Sequence, residues 1–280
     1  MRSYTKAQVQ EVLQSFNLRE KDTILIHSAL QNLGRLEGEE FARIPHFWRD
    51  FLLEQRHTLI LPTFNYDFPK SRSEDLRIQK SQIGILSEEF RKIAKLRSNH
   101  PMFSFVGFGE NAEEILSPKK AEWNPFLANS VYHRLFLRDA LMLFVGIDIR
   151  VCTFMVYIEA MCAVKYRFFK PFIGEIITLE GNKIQGEFYH FCLPRNEQSK
   201  VNYSEIQQEL LGANILRFFS LGGSGIYAFR AKEFFNFVQN RLKQEPFILL
   251  ETAPKAYYQF INNVEIKIES INWGGGGREV

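Results

Sequence analysis

The residues most able to do chemistry stand where short apolar runs end. Ile24-Leu25-Ile26 gives way to His27-Ser28, Leu59-Ile60-Leu61 to Pro62 and then Thr63-Phe64-Asn65-Tyr66-Asp67, and Phe103 to Ser104. In open α/β sheets ligands collect just beyond strand ends, so these imidazole, hydroxyl, amide and carboxylate groups are candidates to meet one. A fourth stretch, Cys152-Thr153-Phe154-Met155-Val156-Tyr157-Ile158-Glu159, ends a largely apolar run on a carboxylate. That carboxylate either works on a substrate or is neutralised by a cation, and Lys165 and Arg167 follow closely enough to supply one. The cysteines Cys152, Cys162 and Cys192 form no C-x-x-C pair, and none adjoins a histidine. A disulfide framework or zinc knuckle is therefore not indicated, and Cys152 reads as a small buried hydrophobe. Phosphate-loop, dinucleotide, zinc-protease and serine-hydrolase signatures are absent, and Gly222-Gly223-Ser224-Gly225 has the composition of a turn.

Such residues need a scaffold to hold them. Thr5 with Gln8 makes a capping box, and Val9, Val12, Leu13 and Phe16 at helical spacing predict a helix over 5–16. Further helices are expected over 38–56 (started or kinked by Pro45), 84–93, 111–116, 153–164, 203–212 and 231–243. Buried strands are expected over 23–27, 58–61, 103–106 and 140–145, with shorter ones near 173–178 and 184–192. Strands alternating with helices predict an α/β fold, a three-layer α/β/α domain with a mostly parallel central sheet. The strand pair at 173–192 would be its antiparallel extension. No repeat or linker divides the chain, so 1–270 is expected to be one domain and 271–280 a flexible Gly-rich tail. The run Gly274-Gly275-Gly276-Gly277 also raises the idea of a slippage-prone tract of G nucleotides that switches the gene product on and off. A tract of constant length across clonal isolates would dismiss it.

Composition narrows the classes. A chain of 280 residues with 45% hydrophobic and 24% charged residues can build a sizeable soluble core. The net charge of +3 arises from 35 basic and 32 acidic residues without a basic block, which argues against a nucleic-acid partner. No run reaches the ~18 apolar residues of a membrane span, and the N-terminus enters an amphipathic pattern without a signal core, so the cytoplasm is the expected location.

A sharper signal lies in the order of the segments. Ile26-His27-Ser28-Ala29-Leu30 with Leu33-Gly34 is followed by Leu59-Ile60-Leu61-Pro62-Thr63-Phe64, Ser81-Gln82-Ile83-Gly84-Ile85-Leu86-Ser87-Glu88 and Arg97-Ser98-Asn99-His100-Pro101. Then come Ser104, Asn124-Pro125-Phe126, Ser130 with Arg134-Leu135, and Cys152 through Glu159. In this order and spacing, over roughly 5–250, the chain resembles the antibiotic N-acetyltransferase family, best known for its aminoglycoside 3-N-acetyltransferases. The resemblance implies acyl transfer from acetyl-CoA to an amine of a sugar in a ternary complex, without an acyl-enzyme. It implies that His27, Ser28, Ala29 and Leu30 form a first CoA-contacting stretch, Ser81, Ile83 and Gly84 a second that opens a helix, and Ser104 and Phe105 a third. Strand-end hydroxyls and helix-start N–H groups suit pantetheine and phosphate arms. His100, before Pro101, is either a loop-fixing residue or a site residue.

The chain also departs from the pattern. The family carries a histidine three residues before the glutamate, on one helix face, as base and orienter. Here Glu159 is present but Val156 occupies the histidine's place. A positioned base is worth ~10²–10⁴-fold in rate, and valine cannot take a proton. Three accounts follow: Glu159 is itself the base, aided by Asp67, which matches an acidic site residue of the family; the substrate amine needs little help; or the protein binds without turnover. Leu127 stands where the family has glycine, so the acceptor differs in shape. Lys70, Arg72, Arg77 and Lys80 outnumber Glu74 and Asp75 in one loop, which suits CoA phosphates or an anionic acceptor, such as a nucleotide-activated sugar, better than a polycationic drug. The expectation is an acyl-CoA-dependent N-acyltransferase acting on an amino sugar of a surface glycan, or a non-catalytic relative that binds a glycan, a CoA ester or a protein.

Overall fold

The computed structural model describes residues 2–195 and 200–271. The Gly-rich tail expected at 271–280 therefore lies, Ile271 excepted, outside the described residues.

Six strands form the central sheet: β1 (Thr23–Ser28), β2 (Thr58–Pro62), β3 (Phe105–Phe108), β4 (Leu141–Val145), β5 (Arg217–Leu221) and β6 (Ser224–Arg230), in spatial order β5-β6-β4-β1-β2-β3. The middle is parallel: β1 pairs with β2 and with β4, setting His27 opposite Phe144 and Ser28 opposite Val145. Both edges are antiparallel, through β3 on one side and the β5–β6 hairpin on the other. Strands β1, β2 and β4 are buried on both faces, which explains their continuous apolar sequences.

The side-chain alternation of these strands feeds two separate cores, so the three-layer reading holds. Ile24, Ile26, Leu59, Leu61, Leu141 and Leu143 pack with helices Lys6–Gln14, Ile44–Glu54 and Ile85–Ile93. Leu25, Ile60, Met142 and Phe144 pack on the opposite face with helices Val131–Leu137, Thr153–Met161, Ser204–Gly212 and Ala231–Gln244. Thr5 and Gln8 form the expected capping box, and Pro45 sits in the first turn of its helix, where its missing N–H is harmless.

The strand pair near 173–192 forms, as Phe168–Ile177 against Lys183–Cys192. It extends no edge of the central sheet; it pairs instead with Ser73–Asp75 in a sheet of its own. The antiparallel extension is supplied by β5 and β6, whose turn begins at Gly222. Gly222 has φ +58, and a Cβ there would stand 2.2 Å from the Leu33 carbonyl oxygen, so only glycine closes this hairpin against the loop after β1.

Candidate active site

The C-terminal ends of β1 and β2 open into a cavity of about 520 Å³. Its wall includes His27 and Ser28, which leave β1, and Pro62, Phe64 and Tyr66, which leave β2. Ile83, Gly84 and Ser87 come from the start of helix Ile85–Ile93, and Cys152, Thr153 and Val156 from the start of helix Thr153–Met161. Gly84 has φ +101 and ψ 150, a region open essentially to glycine. That geometry brings the helix start so near β1 that a Cβ would lie 3.1 Å from the Ser28 carbonyl oxygen. Residues at the starts of two helices therefore line one hollow, and a helix N-terminus favours anions and developing negative charge.

Of the residues the resemblance assigns to CoA, the cavity gathers His27, Ser28, Ile83 and Gly84. Ala29 and Leu30 are buried beneath it, and the Ala29 N–H donates to the Val145 carbonyl at 2.8 Å. Ser81 braces the helix start: its N–H donates to Glu88 Oε2 and its Oγ accepts from the Ile83 N–H. Ser104 and Phe105 are fully buried. Ser104 Oγ meets Thr63 Oγ1 at 3.1 Å and accepts from Arg97 Nε at 3.0 Å. Arg97 is itself a buried cation whose guanidinium also donates to the Leu76, Gln79 and Thr63 carbonyls and to Gln79 Oε1. It staples the loop carrying Tyr66 and Ile83 to the sheet. His100 is a loop-fixing residue: Nδ1 accepts the Met102 and Phe103 N–H groups at 3.1 and 2.9 Å. Leu127 packs on the core and borders neither this cavity nor the neighbouring one described below.

The two carboxylates are placed differently from each other. Asp67 is exposed outside the cavity, where its Oδ2 accepts from Gln82 Nε2 at 2.9 Å. Glu159 has no exposure at all. Its Oε1 accepts from the Tyr166 hydroxyl at 2.8 Å, and its Oε2 stands 3.0 Å from Arg167 Nε in an ion pair. Arg167, not Glu159, reaches the cavity wall, beside Tyr203. Burial works against the Arg167 charge, but the Glu159 carboxylate outweighs it and raises the guanidinium pKa. One helical turn back, Val156 is on the cavity wall.

His27 is a neutral imidazole, since burial lowers its pKa to about 4. Its ring stacks on Phe144 with centroids 5.0 Å apart. Burial pushes the Cys152 thiol up to about 12, so it is no thiolate nucleophile. The cavity wall holds no Asp or Glu among its described residues; its charged members are Arg150 and Arg167. Tyr66, one of the strand-end groups expected at a ligand, is on the wall; sequence reasoning missed Arg150 and Tyr203. The one signal for Arg167 was the need of a buried carboxylate for a counter-ion.

No helix among the described residues is long and apolar enough to cross a membrane. The family described as aminoglycoside 3-N-acetyltransferase matches residues 25–243. The chain is 25% identical over 179 residues to the SPbeta prophage-derived aminoglycoside N(3')-acetyltransferase-like protein YokD of Bacillus subtilis (strain 168), covering 51% of this chain and 60% of that relative. It is 23% identical over 267 residues to aminoglycoside N(3)-acetyltransferase IX of Micromonospora chalcea, covering 84% and 92%. The solved structure of AAC-IIIb in its binary complex with CoASH shares the fold, with TM-score 0.70 and 16% identity over 90% of this chain and 100% of that one. The cavity at the strand ends thus sits in a chain that belongs to the aminoglycoside 3-N-acetyltransferase family, CoA-dependent N-acetyltransferases whose co-substrate is acetyl-CoA.

Proposed function

We propose that the protein transfers an acyl group, acetyl in the first instance, from acyl-CoA to an amine of an amino sugar used in a surface glycan. The observation that carries this reading is the convergence of His27, Ser28, Ile83, Gly84, Val156 and Arg167 on one cavity. Two uncapped helix starts and the Arg150 guanidinium suit the phosphates and carbonyls of CoA. The wall's two arginines are matched by Glu159 and Asp148 and it holds no described carboxylate of its own, so nothing on it pairs with a drug bearing several ammonium groups, which favours a sugar acceptor of another charge.

CoA supplies the activated thioester. A C–N bond replaces its C–S bond, and the proton lost by the amine leaves with the CoA thiol. Arg167 and the N-terminus of helix Thr153–Met161 stabilise negative charge on the carbonyl oxygen during that exchange. Glu159 acts through Arg167, holding the guanidinium at the wall, and Tyr166 holds Glu159. With Val156 in place of a base and Asp67 outside the cavity, the amine enters neutral, and its own pKa governs the rate. Thiol release from acetyl-CoA, measured against amino-sugar nucleotides, tests the reading; CoA binding without thiol release for any amino sugar counts against it.

The shielding of Glu159 favours a second reading, in which the protein binds its ligands without turnover. A Val156→His variant that acquires activity from none would support it.

A further inference from the structure

A second cavity, of about 380 Å³, adjoins the first, and Tyr66 and Arg167 line both. Most of its remaining wall comes from the Phe168–Ile177 and Lys183–Cys192 strands and the segment after them, with Lys170, Phe172, His190, Phe191, Cys192 and Arg195 among the lining residues. Among the described residues neither the Lys170 ammonium nor the Arg195 guanidinium has a carboxylate partner. Lys170 lies 4.5 Å from the Phe260 ring centroid, and the Arg195 backbone N–H donates to Glu265 Oε2 at 3.0 Å. Glu265 is the one carboxylate on this wall, and Arg167 is already matched by Glu159. The groups inside respond to that excess of positive charge. Burial first, then Arg167 and Lys170, lowers the His190 pKa to about 4. Burial raises the Cys192 thiol to about 11, while Lys170, Arg167 and Arg195 pull against that rise.

We propose that this second cavity is the acceptor subsite and that Lys170 and Arg195 make it specific for an amino sugar carrying a phosphate, as in a nucleotide-linked sugar. The inference rests on the acyl-transfer reading and supplies its acceptor class. An acceptor seated here presents its amine at the partition of Tyr66 and Arg167, where the first cavity begins. Two unmatched cations suit a phosphate, which brings more charge and more acceptor oxygens than a sugar carboxylate. The exposed ring of Tyr66 can take a base by stacking.

Calorimetric titration of UDP into the full-length protein, with and without saturating CoA, tests this. The expected result is UDP binding that persists with CoA present and weakens at least tenfold in Lys170→Gln and in Arg195→Gln, with CoA affinity unchanged in both. Arg195 is exposed, so its variant keeps the test valid if the change at Lys170 disturbs folding. Displacement of UDP by CoA, binding indifferent to both changes, or binding of N-acetylneuraminate but not UDP would overturn the proposal. Failure to bind CoA with UDP binding intact would instead overturn the acyl-transfer reading.

Discussion

Replacing Val156 by histidine should create a base of ordinary strength in a cavity whose one imidazole, His27, is weakened to a pKa of about 4 by burial. Val156 is partly buried on the cavity wall and three residues before Glu159, so an imidazole there reaches the helix face that carries the carboxylate. Glu159 already holds two partners, Tyr166 and Arg167. An ionised carboxylate offers about four acceptor sites, so a ring N–H can still find one, though in competition with Arg167. A positioned base contributes ~10²–10⁴-fold, and the competition argues for the lower end, about 10²-fold in kcat/KM or ~2.7 kcal/mol of barrier. The assay is thiol release from acetyl-CoA with an amino-sugar nucleotide, across pH. The gain should appear as pH rises through the imidazole pKa, near 6.5 if unperturbed, and a Val156→Leu control should show none. A Val156→His protein that binds CoA like the wild type yet turns over no faster would refute the claim that a missing base limits this site.

Other consequences are equally open to test. Arg167→Ala leaves the Glu159 carboxylate buried without its cation, so denaturant unfolding should show a loss of about 3–5 kcal/mol, as for other broken buried pairs; Arg167→Ala combined with Glu159→Gln should recover part of it. Gly84→Ala forces a side chain into a φ +101 conformation against Ser28, costing ~1–3 kcal/mol of strain and lowering CoA affinity more than global stability. Cys152→Ala should keep activity, and native Cys152 should resist iodoacetamide at neutral pH, because its thiol is pushed up to about 12. Folded-state pKa values near 4 for His27 and 3 for His100 lie below that of a free imidazole, because burial disfavours the charged rings. The unfolded chain therefore binds more protons, and stability should fall as pH drops from ~6.5 toward 4, by on the order of 3 kcal/mol for His27 alone. Glu122, raised to about 7 by burial, acts oppositely between about 4.5 and 7; His27→Gln should flatten the acid limb of an unfolding-versus-pH curve.

Much of the scaffold is readable because its physics is local. The runs Thr23–Ser28 and Leu141–Val145 are too short and apolar for anything but buried strands, and Thr5 with Gln8 announces a helix start. The β5–β6 hairpin and the Ala256–Ile261/Val264–Ser270 hairpin escaped notice, although both carry turn chemistry. Gly222 marks one, and Asn262-Asn263, both at positive φ, mark the other, as a two-residue hairpin turn demands. Which sheet the Phe168–Cys192 pair joins was not legible, since its partner Ser73–Asp75 lies nearly a hundred residues earlier in a polar loop. In the site, the strand-end residues His27 and Ser28 could be expected at the ligand from the pattern of strands, and Gly84 from the resemblance. The inward turn of Glu159 toward Tyr166 and Arg167 depends on tertiary packing that no spacing encodes. The basic loop shows the same limit: Arg77 is clamped by Asp75 at 2.6 Å and Arg72 lies over Phe172, so both have local work. Among the described residues, the unmatched cations beside the second cavity are Lys170 and Arg195.

In the proposed reaction the paired cavities join an acyl group to a sugar amine. Incubating the protein with acetyl-CoA and a panel of amino-sugar nucleotides, with mass spectrometry of the products, reads this directly. The expected products are stoichiometric CoA thiol and a sugar nucleotide heavier by one acetyl group on its amine. Recovery of every amino sugar unmodified, from a protein that binds both acetyl-CoA and the sugar nucleotide, would contradict the proposed reaction.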